Sequence, residues 1–381
     1  MNIETLCQRI RKFIDDEVIP EESWKTGEAI PHAERLAALE ARMKNLGFGS
    51  PQLSQHLGGM GLSWEHCAQV MEVIGRSYLG PTIFQCAPPT QPDIFALEKL
   101  ASPQQRERYL MPLLRGARRS CFAMTEPAPG AGSDPRALAT TAEKTDNGWR
   151  LNGHKWFITG AAKADFAIVM ATTSSGPSWF LVDSDTPGFT IIRDIATIEP
   201  FDMGGHGEIL LENCNIPDSA LVGETGQGLA YAQIRLESAR LFHCMRYIGL
   251  ASRAMDYAQD YATQRLSGGK PLGDHQMVQQ LIADAHIKLY AARMMTRDVA
   301  KRLDEDRDIR HHSSMTKVFV SEAVYSVADA AVQICGGLGV SEDAPLAFIL
   351  RMLRPFRIYD GASEVHRSAI ARRALKHGLS A

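Results

Sequence analysis

The sequence predicts an α+β protein built from three consecutive regions: helical over residues 1–119, β over 120–225, and a four-helix bundle over 226–381. Three observations carry this reading. Before residue 120, apolar residues recur at helical spacing between proline and glycine breaks. From Ser120 to about Val222 the pattern shortens to β-type runs divided by turn signals. After Gly226, long apolar stripes with steps of three and four return.

In order, Leu6, Ile10, Phe13 and Ile14 mark a first helix that Pro20 ends, and a second runs roughly from Pro31 to Asn45. Leu57-Gly-Gly-Met-Gly-Leu62 reads as a helix-to-helix turn, because no strand precedes it to make a nucleotide-binding loop. Ser63 can cap a helix reaching Ser77. Pro81, Pro88, Pro89 and Pro92 predict broken or short helix in the next stretch, and Ser102-Pro103 opens a helix that Gly116 closes. The β runs are Trp149–Leu151, Phe166–Ala171, Trp179–Val182, Phe189–Ile192 and Ile209–Leu211. Asp146-Asn-Gly148, Ser174-Ser-Gly-Pro177, Thr186-Pro-Gly188 and Gly204-Gly205 divide them, so a barrel or sandwich is expected. In the bundle, Leu241, Cys244, Ile248, Ala251, Met255, Ala258 and Ala262 form one stripe. Val278 to Ala292 and Val320 to Ile334 form two more, the last capped by Gly336-Gly337.

The 381 residues are 45% hydrophobic and 22% charged, ordinary values for a globular protein. A net charge of −3 gives no electrostatic reason to expect nucleic acid or an anionic membrane as partner. The seven cysteines form no CxxC, so neither a disulfide framework nor a zinc site is expected, and a reducing cytoplasmic setting fits. His311-His312 has no metal-ligand spacing and reads as a solvated turn. Acidic residues and no long apolar run at the N-terminus predict neither a signal peptide nor a membrane span.

The stretch with most chemical content is Cys121-Phe-Ala-Met-Thr-Glu-Pro-Ala-Pro-Gly-Ala-Gly-Ser-Asp134, an apolar run opening into a loop of small residues. Its glycines admit close backbone approach to a ligand, and its hydroxyls both donate and accept. Alone it would be an ordinary turn. Far downstream stand Arg265-Leu-Ser-Gly-Gly-Lys-Pro-Leu-Gly-Asp-His-Gln276, Gln333-Ile-Cys-Gly-Gly337 and Ile358-Tyr-Asp-Gly-Ala-Ser-Glu364. Together with Asn152-Gly-His-Lys-Trp-Phe-Ile-Thr-Gly160 these segments resemble the acyl-CoA dehydrogenase family over nearly the whole chain. The strings Leu241-Phe-His-Cys-Met-Arg246 and Asp360-Gly-Ala-Ser-Glu-Val-His366 are most similar to the subgroup containing mammalian members ten and eleven, which also uses Asp and has been linked to 4-hydroxyacyl-CoA metabolism.

The resemblance implies FAD in a cleft between the β domain and the bundle, and α,β-dehydrogenation of an acyl-CoA to the trans-2-enoyl-CoA. A carboxylate takes the α proton, the β hydrogen passes to flavin N5 as hydride, and electrons go on to an electron-transfer flavoprotein. It assigns Phe122, Met124, Thr125, Phe157 and Thr159 to the flavin. Trp156, one residue early, would point to the opposite face of a regular strand. Arg265, Ser267, Gln276, Gln333, Gly337, Ala362 and Glu364 match further cofactor positions, with Arg265 reaching the FAD pyrophosphate of a neighbouring subunit in a homodimer or homotetramer. Gly268 stands in place of a family Phe. Ser133, Glu237, Arg240, Gly361 and Arg372 match substrate positions, and no metal site is implied.

The resemblance places Asp360 where most of the family has the catalytic Glu. The alternative base position on the bundle helix is Ala239, which has no proton acceptor, so Asp360 is the candidate base. Tyr359-Asp-Gly361 is also a good turn sequence, the plain reading of the same residues. A monooxygenase of the same fold is the alternative reaction, disfavoured by the carboxylate. A nucleic-acid-protecting relative is disfavoured by the net charge.

Overall fold

The computed structural model describes residues 2–24, 33–132, 134–199 and 205–378. Helices of eight residues or more are α1 (Ile3–Phe13), α2 (Ala33–Asn45), α3 (Trp64–Ile74), α4 (Thr90–Leu100), α5 (Gly228–Gln264), α6 (Gln276–Asp304), α7 (Arg310–Cys335), α8 (Leu346–Leu353) and α9 (Ser363–His377). The main sheet holds β1 (Ser120–Ala123), β2 (Thr141–Thr145), β3 (Gly148–Thr159), β4 (Phe166–Thr173), β5 (Gly176–Asp183), β6 (Phe189–Asp194), β7 (His206–Ile216) and β8 (Leu221–Val222). Packing divides the chain into two compact units. One is Met1–Cys86, Ile198–Phe201 and Arg240–Ala381; the other is Ala87–Thr197 and Asp202–Ala239.

In the helical unit, Asn2 caps α1 by accepting from Thr5 N at 2.8 Å, and Leu6, Ile10 and Phe13 are buried as their spacing requires. Ser63 caps α3, accepting from His66 N at 3.2 Å. Asp304, the last residue of α6, adds bonds from Trp64 N (2.7 Å) and Glu65 N (2.9 Å), a carboxylate at the positive end of the helix. Helix α3 stops at Ile74 rather than Ser77 because the next turn runs into α5. A Cβ on Gly75 would lie 2.2 Å from Arg246 O, and one on Gly249 1.9 Å from Glu72 O. The two helices therefore cross with backbones touching. Arg76–Asp256 (2.8 Å), Arg253–Glu22 (2.6 Å) and Arg293–Glu72 (2.7 Å) surround that crossing.

The expected bundle stripe from Leu241 to Ala262 is buried at every position, as is the one from Val320 to Ile334. In the intervening stripe Ala285, Leu289 and Ala292 are buried, while Val278 and Ile282 are partly so. Helix α7 is long and apolar enough to cross a membrane by length and composition; here its stripe lies in the bundle core. Gly336, at φ +57°, ends it as the sequence indicated.

In the sheet unit the β region forms one eight-stranded sheet with the path β6-β7-β3-β2-β4-β5-β8. β4 divides one of its edges: β1 pairs in parallel with Phe166–Val169, and β2 meets it at Thr172. The sheet splits there. Two expected turns are two-residue hairpin loops, Asp146-Asn147 between β2 and β3 and Ser174-Ser175 between β4 and β5. β2 had no apolar run to announce it, because Ala142 is its one buried residue. Residue 204 of the expected Gly204-Gly205 turn, and Pro31 of the second helix, lie outside the described residues. The proline-rich stretch holds an unbroken eleven-residue α4. Pro89 precedes it and Pro92 sits in its first turn, where the missing N–H has no intrahelical partner to lose.

Candidate active site

The loop after β1 is built around a buried carboxylate. Glu126 accepts from the backbone N–H groups of Ala131 (3.0 Å), Ala139 (2.6 Å) and Thr140 (2.9 Å), from the Thr140 hydroxyl, and from Lys155 Nζ at 2.8 Å. Burial pushes its carboxyl up, but Lys155 and these donors outweigh burial and hold it at about 2. Lys155 also donates to Met124 O at 3.1 Å, tying the loop to β3. A Cβ at Gly130 would fall 2.3 Å from Glu126 Oε2, so the glycine is a packing requirement. The loop borders a cavity of about 340 Å³ lined by Pro127, Pro129, Gly130, His154 and Leu210 among others. Ser133 lies outside the described residues.

Phe122 is held from below. Arg235 sits 4.2 Å over its ring, and Asp93 accepts from Arg235 Nε (2.6 Å) and Ser120 Oγ (2.6 Å), all deeply buried. Met124 and Thr125 continue from it half-buried, and Thr125 O accepts from Trp156 N at 3.1 Å.

At Trp156 the alternation assumed from sequence fails. Between the pairs Lys155↔Ile209 and Ile158↔Gly207, two residues of β3 face Glu208 of β7 alone, a β-bulge. Phe157 takes φ +51°, and its ring lies 4.8 Å from that of Trp156 instead of on the opposite face. Phe157 is 45% exposed. Thr159 Oγ1 lies 3.2 Å from His206 Nδ1. An aromatic pair with Phe157 exposed and Trp156 half-buried, near a hydroxyl and a glycine-containing loop, fits a large planar ring such as a flavin.

In the helical unit Asp360 sits at φ +54° in the turn before α9. Its carbonyl accepts from Arg240 Nε (2.9 Å) and His366 Nε2 (3.1 Å), and Gly361 O accepts from Lys317 Nζ (2.7 Å). These donors hold a backbone conformation that a non-glycine residue rarely adopts. The carboxylate oxygen Oδ2 lies 3.3 Å from His243 Nε2. Burial, then the Arg246 charge, lowers His243 to about 4. Burial and then Arg240 lower His366 to about 4, and burial lowers Lys317 to about 8 although Asp360 opposes it.

The structure thus gathers Arg240, Asp360 and Gly361 into one cluster. Arg265 and Ser267 lie exposed on a small hairpin, Leu266–Ser267 against Lys270–Pro271, between α5 and Gln276 at the start of α6. Gly268 (φ +59°) and Gly269 (φ +80°) make its turn, which explains glycine where the family has Phe. Gln333 and Gly337 are exposed at the end of α7; Glu364 and Arg372 are exposed on α9, and Ala362 is half-buried before it. Glu237 is half-buried on α5, three residues before Arg240, and Ala239 between them is buried. Residues to which the sequence gave no role are Lys155, Arg235, Asp93, His243, Arg246, Lys317 and His366. The available signal was a charged or histidine residue inside an otherwise apolar stripe, as at His243 and Lys317.

Family models for the acyl-CoA dehydrogenase N-terminal, middle and C-terminal domains match residues 2–117, 121–214 and 226–375. The chain belongs to the acyl-CoA dehydrogenase family. The probable acyl-CoA dehydrogenase FadE2 of Mycobacterium tuberculosis is 36% identical, over 91% of this chain and 86% of its own. Acyl-CoA dehydrogenase family member 11 of Gallus gallus is 35% identical over 92% of this chain, which spans about half (46%) of that relative's length. The structure of a putative acyl-CoA dehydrogenase from Mycobacterium abscessus superposes with a TM-score of 0.91 at 34% identity, covering 98% of each chain. PigA with FAD and proline superposes at 0.85 with 26% identity, covering 100% of this chain and 98% of that one. The fold is that of an acyl-CoA dehydrogenase, and the chain is an FAD-dependent oxidoreductase of that family.

Proposed function

We propose that this enzyme removes the α proton of an acyl-CoA thioester with the carboxylate of Asp360, giving the trans-2-enoyl-CoA. The supporting observation is the clamp on Asp360. Arg240 and His366 hold its carbonyl and Lys317 holds the next one, so the donors act on the backbone and the side chain is aimed by it. FAD, when bound, supplies the two-electron acceptor. On the sheet unit Phe122, Met124, Thr125, Trp156, Phe157 and Thr159 would hold its ring. On the helical unit Gln333, Gly337, Ala362 and Glu364 would bind the remainder. Arg265, Ser267 and Gln276, exposed on one connection, would serve the FAD of a second copy in a homo-oligomer. Glu237, Arg240, Gly361 and Arg372 are the proposed substrate contacts. An electron-transfer flavoprotein as acceptor and a cytoplasmic location complete the reading.

The test is anaerobic mixing of the FAD-loaded protein with straight, branched and 4-hydroxy acyl-CoAs while following the oxidised flavin band. Bleaching by members of the panel is expected, and its absence with every member would overturn the reading.

A further inference from the structure

Asp is one methylene shorter than the Glu it replaces, so its carboxylate needs help to present a defined oxygen. The candidate helper is His243, one turn along α5 from Arg240. Its surroundings decide its tautomer. Arg246 Nη2 lies 2.8 Å from His243 Nδ1, and a guanidinium only donates. Nδ1 therefore accepts, and the ring hydrogen is on Nε2, the atom 3.3 Å from Asp360 Oδ2. The guanidinium is itself fixed, donating to Tyr247 OH at 2.9 Å, and Tyr359 OH donates on to Tyr247 OH at 2.8 Å. The rings of Phe356 and Tyr359 lie 5.6 and 4.8 Å from the imidazole. At 3.3 Å the Nε2–Oδ2 contact is close but falls outside hydrogen-bond geometry, as contacts to a catalytic carboxylate do before substrate closes the site.

We propose that His243 is the positioning residue of the base: its Nε2–H, locked by Arg246, faces Asp360 Oδ2 and closes on it as a hydrogen bond when substrate binds, fixing the carboxylate that accepts the substrate proton. The inference rests on the reading of Asp360 as base. In the step, the substrate α C–H bond breaks, an O–H bond forms on the Asp360 carboxylate, and the electron pair stays on the α carbon. His243 keeps its own proton. It does not relay the proton onward, because the nitrogen that faces Asp360, Nε2, already carries the ring hydrogen and has no lone pair to take another. The low basicity of His243 agrees with this. The titratable and charged groups facing the pair are Arg240, Cys244, Arg246 and Tyr247 from α5, Lys317 from α7, Tyr359 from the turn, His366 from α9, and Glu199.

Two amides separate this role from a structural one. In H243Q the side-chain N–H reaches the place of Nε2; in H243N the amide stands near the place of Nδ1, can still meet Arg246, and cannot reach Asp360. Both are compared with wild type as FAD-loaded enzymes, by the pH dependence of single-turnover flavin reduction. H243N is expected to lose roughly tenfold or more, with the acid limb moved up by about one pH unit. H243Q is expected within a few fold of wild type with its acid limb unmoved. Equal losses in both variants, or no loss in H243N, would overturn the proposal.

A second readout needs no substrate. In 15N-histidine-labelled wild type, with the His243 signals assigned by their loss in H243N, Nε2 is expected protonated and Nδ1 unprotonated from pH 6 to 8. A proton on Nδ1 would overturn the proposal. If no acyl-CoA reduces the wild-type flavin, the functional reading fails, while the nitrogen spectrum still decides the hydrogen-bonding claim.

Discussion

Two carboxylates, Glu126 in the sheet unit and Asp360 in the helical unit, each follow a threonine or tyrosine in a loop, and they are treated in opposite ways. Glu126 spends its oxygens on backbone N–H groups, a hydroxyl and Lys155, so its charge is consumed in shaping the loop. At Asp360 the bonds from Arg240 and His366 go to the carbonyl. Residue type and loop position do not separate the two; Glu126's oxygens carry the backbone of its own loop, whereas at Asp360 the carbonyl carries the turn and His243 faces the carboxylate.

The sharpest break of that contrast is a pair of isosteric amides. Asp360→Asn keeps the turn and the FAD but cannot take a proton, so flavin reduction should fall by about 10²–10⁴-fold. Flavin content and melting temperature should stay near wild type. Near-wild-type reduction would remove Asp360 as base. Glu126→Gln should do the reverse. It leaves Lys155, fully buried, without its counter-charge, which costs about 3–5 kcal/mol. Denaturant unfolding measures it, and a loss below about 1 kcal/mol would mean that the loop does not depend on the pair.

Acid sharpens the comparison next. His243 and His366 are held near 4 against an ordinary 6.5, so between those values the unfolded chain binds protons that the folded chain does not. Their neutral packing therefore contributes fully above about 6.5, and stability is lost as pH falls through that window, on the order of 1–3 kcal/mol for each group. Glu126, lowered from 4.5 to about 2, contributes above 4.5 and loses that contribution only as pH falls towards 2. The helical unit should loosen first on going from pH 7 to 5. Hydrogen exchange corrected for intrinsic rates would show it, and earlier loosening of the sheet would contradict it.

The sequence carried the bundle well, because a stripe such as Leu241 to Ala262 encodes its own burial in its spacing. It carried β4 and β5 as continuous apolar runs and the first residues of β3, and their hairpins through turn chemistry. It did not carry β2, a polar strand whose place is set by its neighbours. The site was legible only where resemblance supplied it. His243, Lys317 and Asp360 come from three segments, and nothing local in any of them announces the others. The Glu126–Lys155 pair spans 29 residues in the same way. Local rules also misplaced Trp156, because a bulge is a property of two paired strands and not of one.

That bulge gives the smallest predicted effect. If the chain alternated regularly, one ring of Trp156 and Phe157 would face a flavin and the other would not, and their substitutions would differ. With the rings 4.8 Å apart, each supports the other, Phe157 exposed and Trp156 half-buried against it. Phe157→Ala should change folding stability by no more than about 0.5 kcal/mol, since the side chain is 45% exposed. It should weaken FAD by about 1 kcal/mol, roughly fivefold in Kd. Trp156→Ala should weaken FAD by a similar amount, and the double variant by less than the sum, because either single change already dismantles the shared face. Fluorescence titration of the apoprotein with FAD reads all three. Strict additivity, or an effect confined to Phe157, would return the two rings to opposite sides and remove the bulge from the cofactor site.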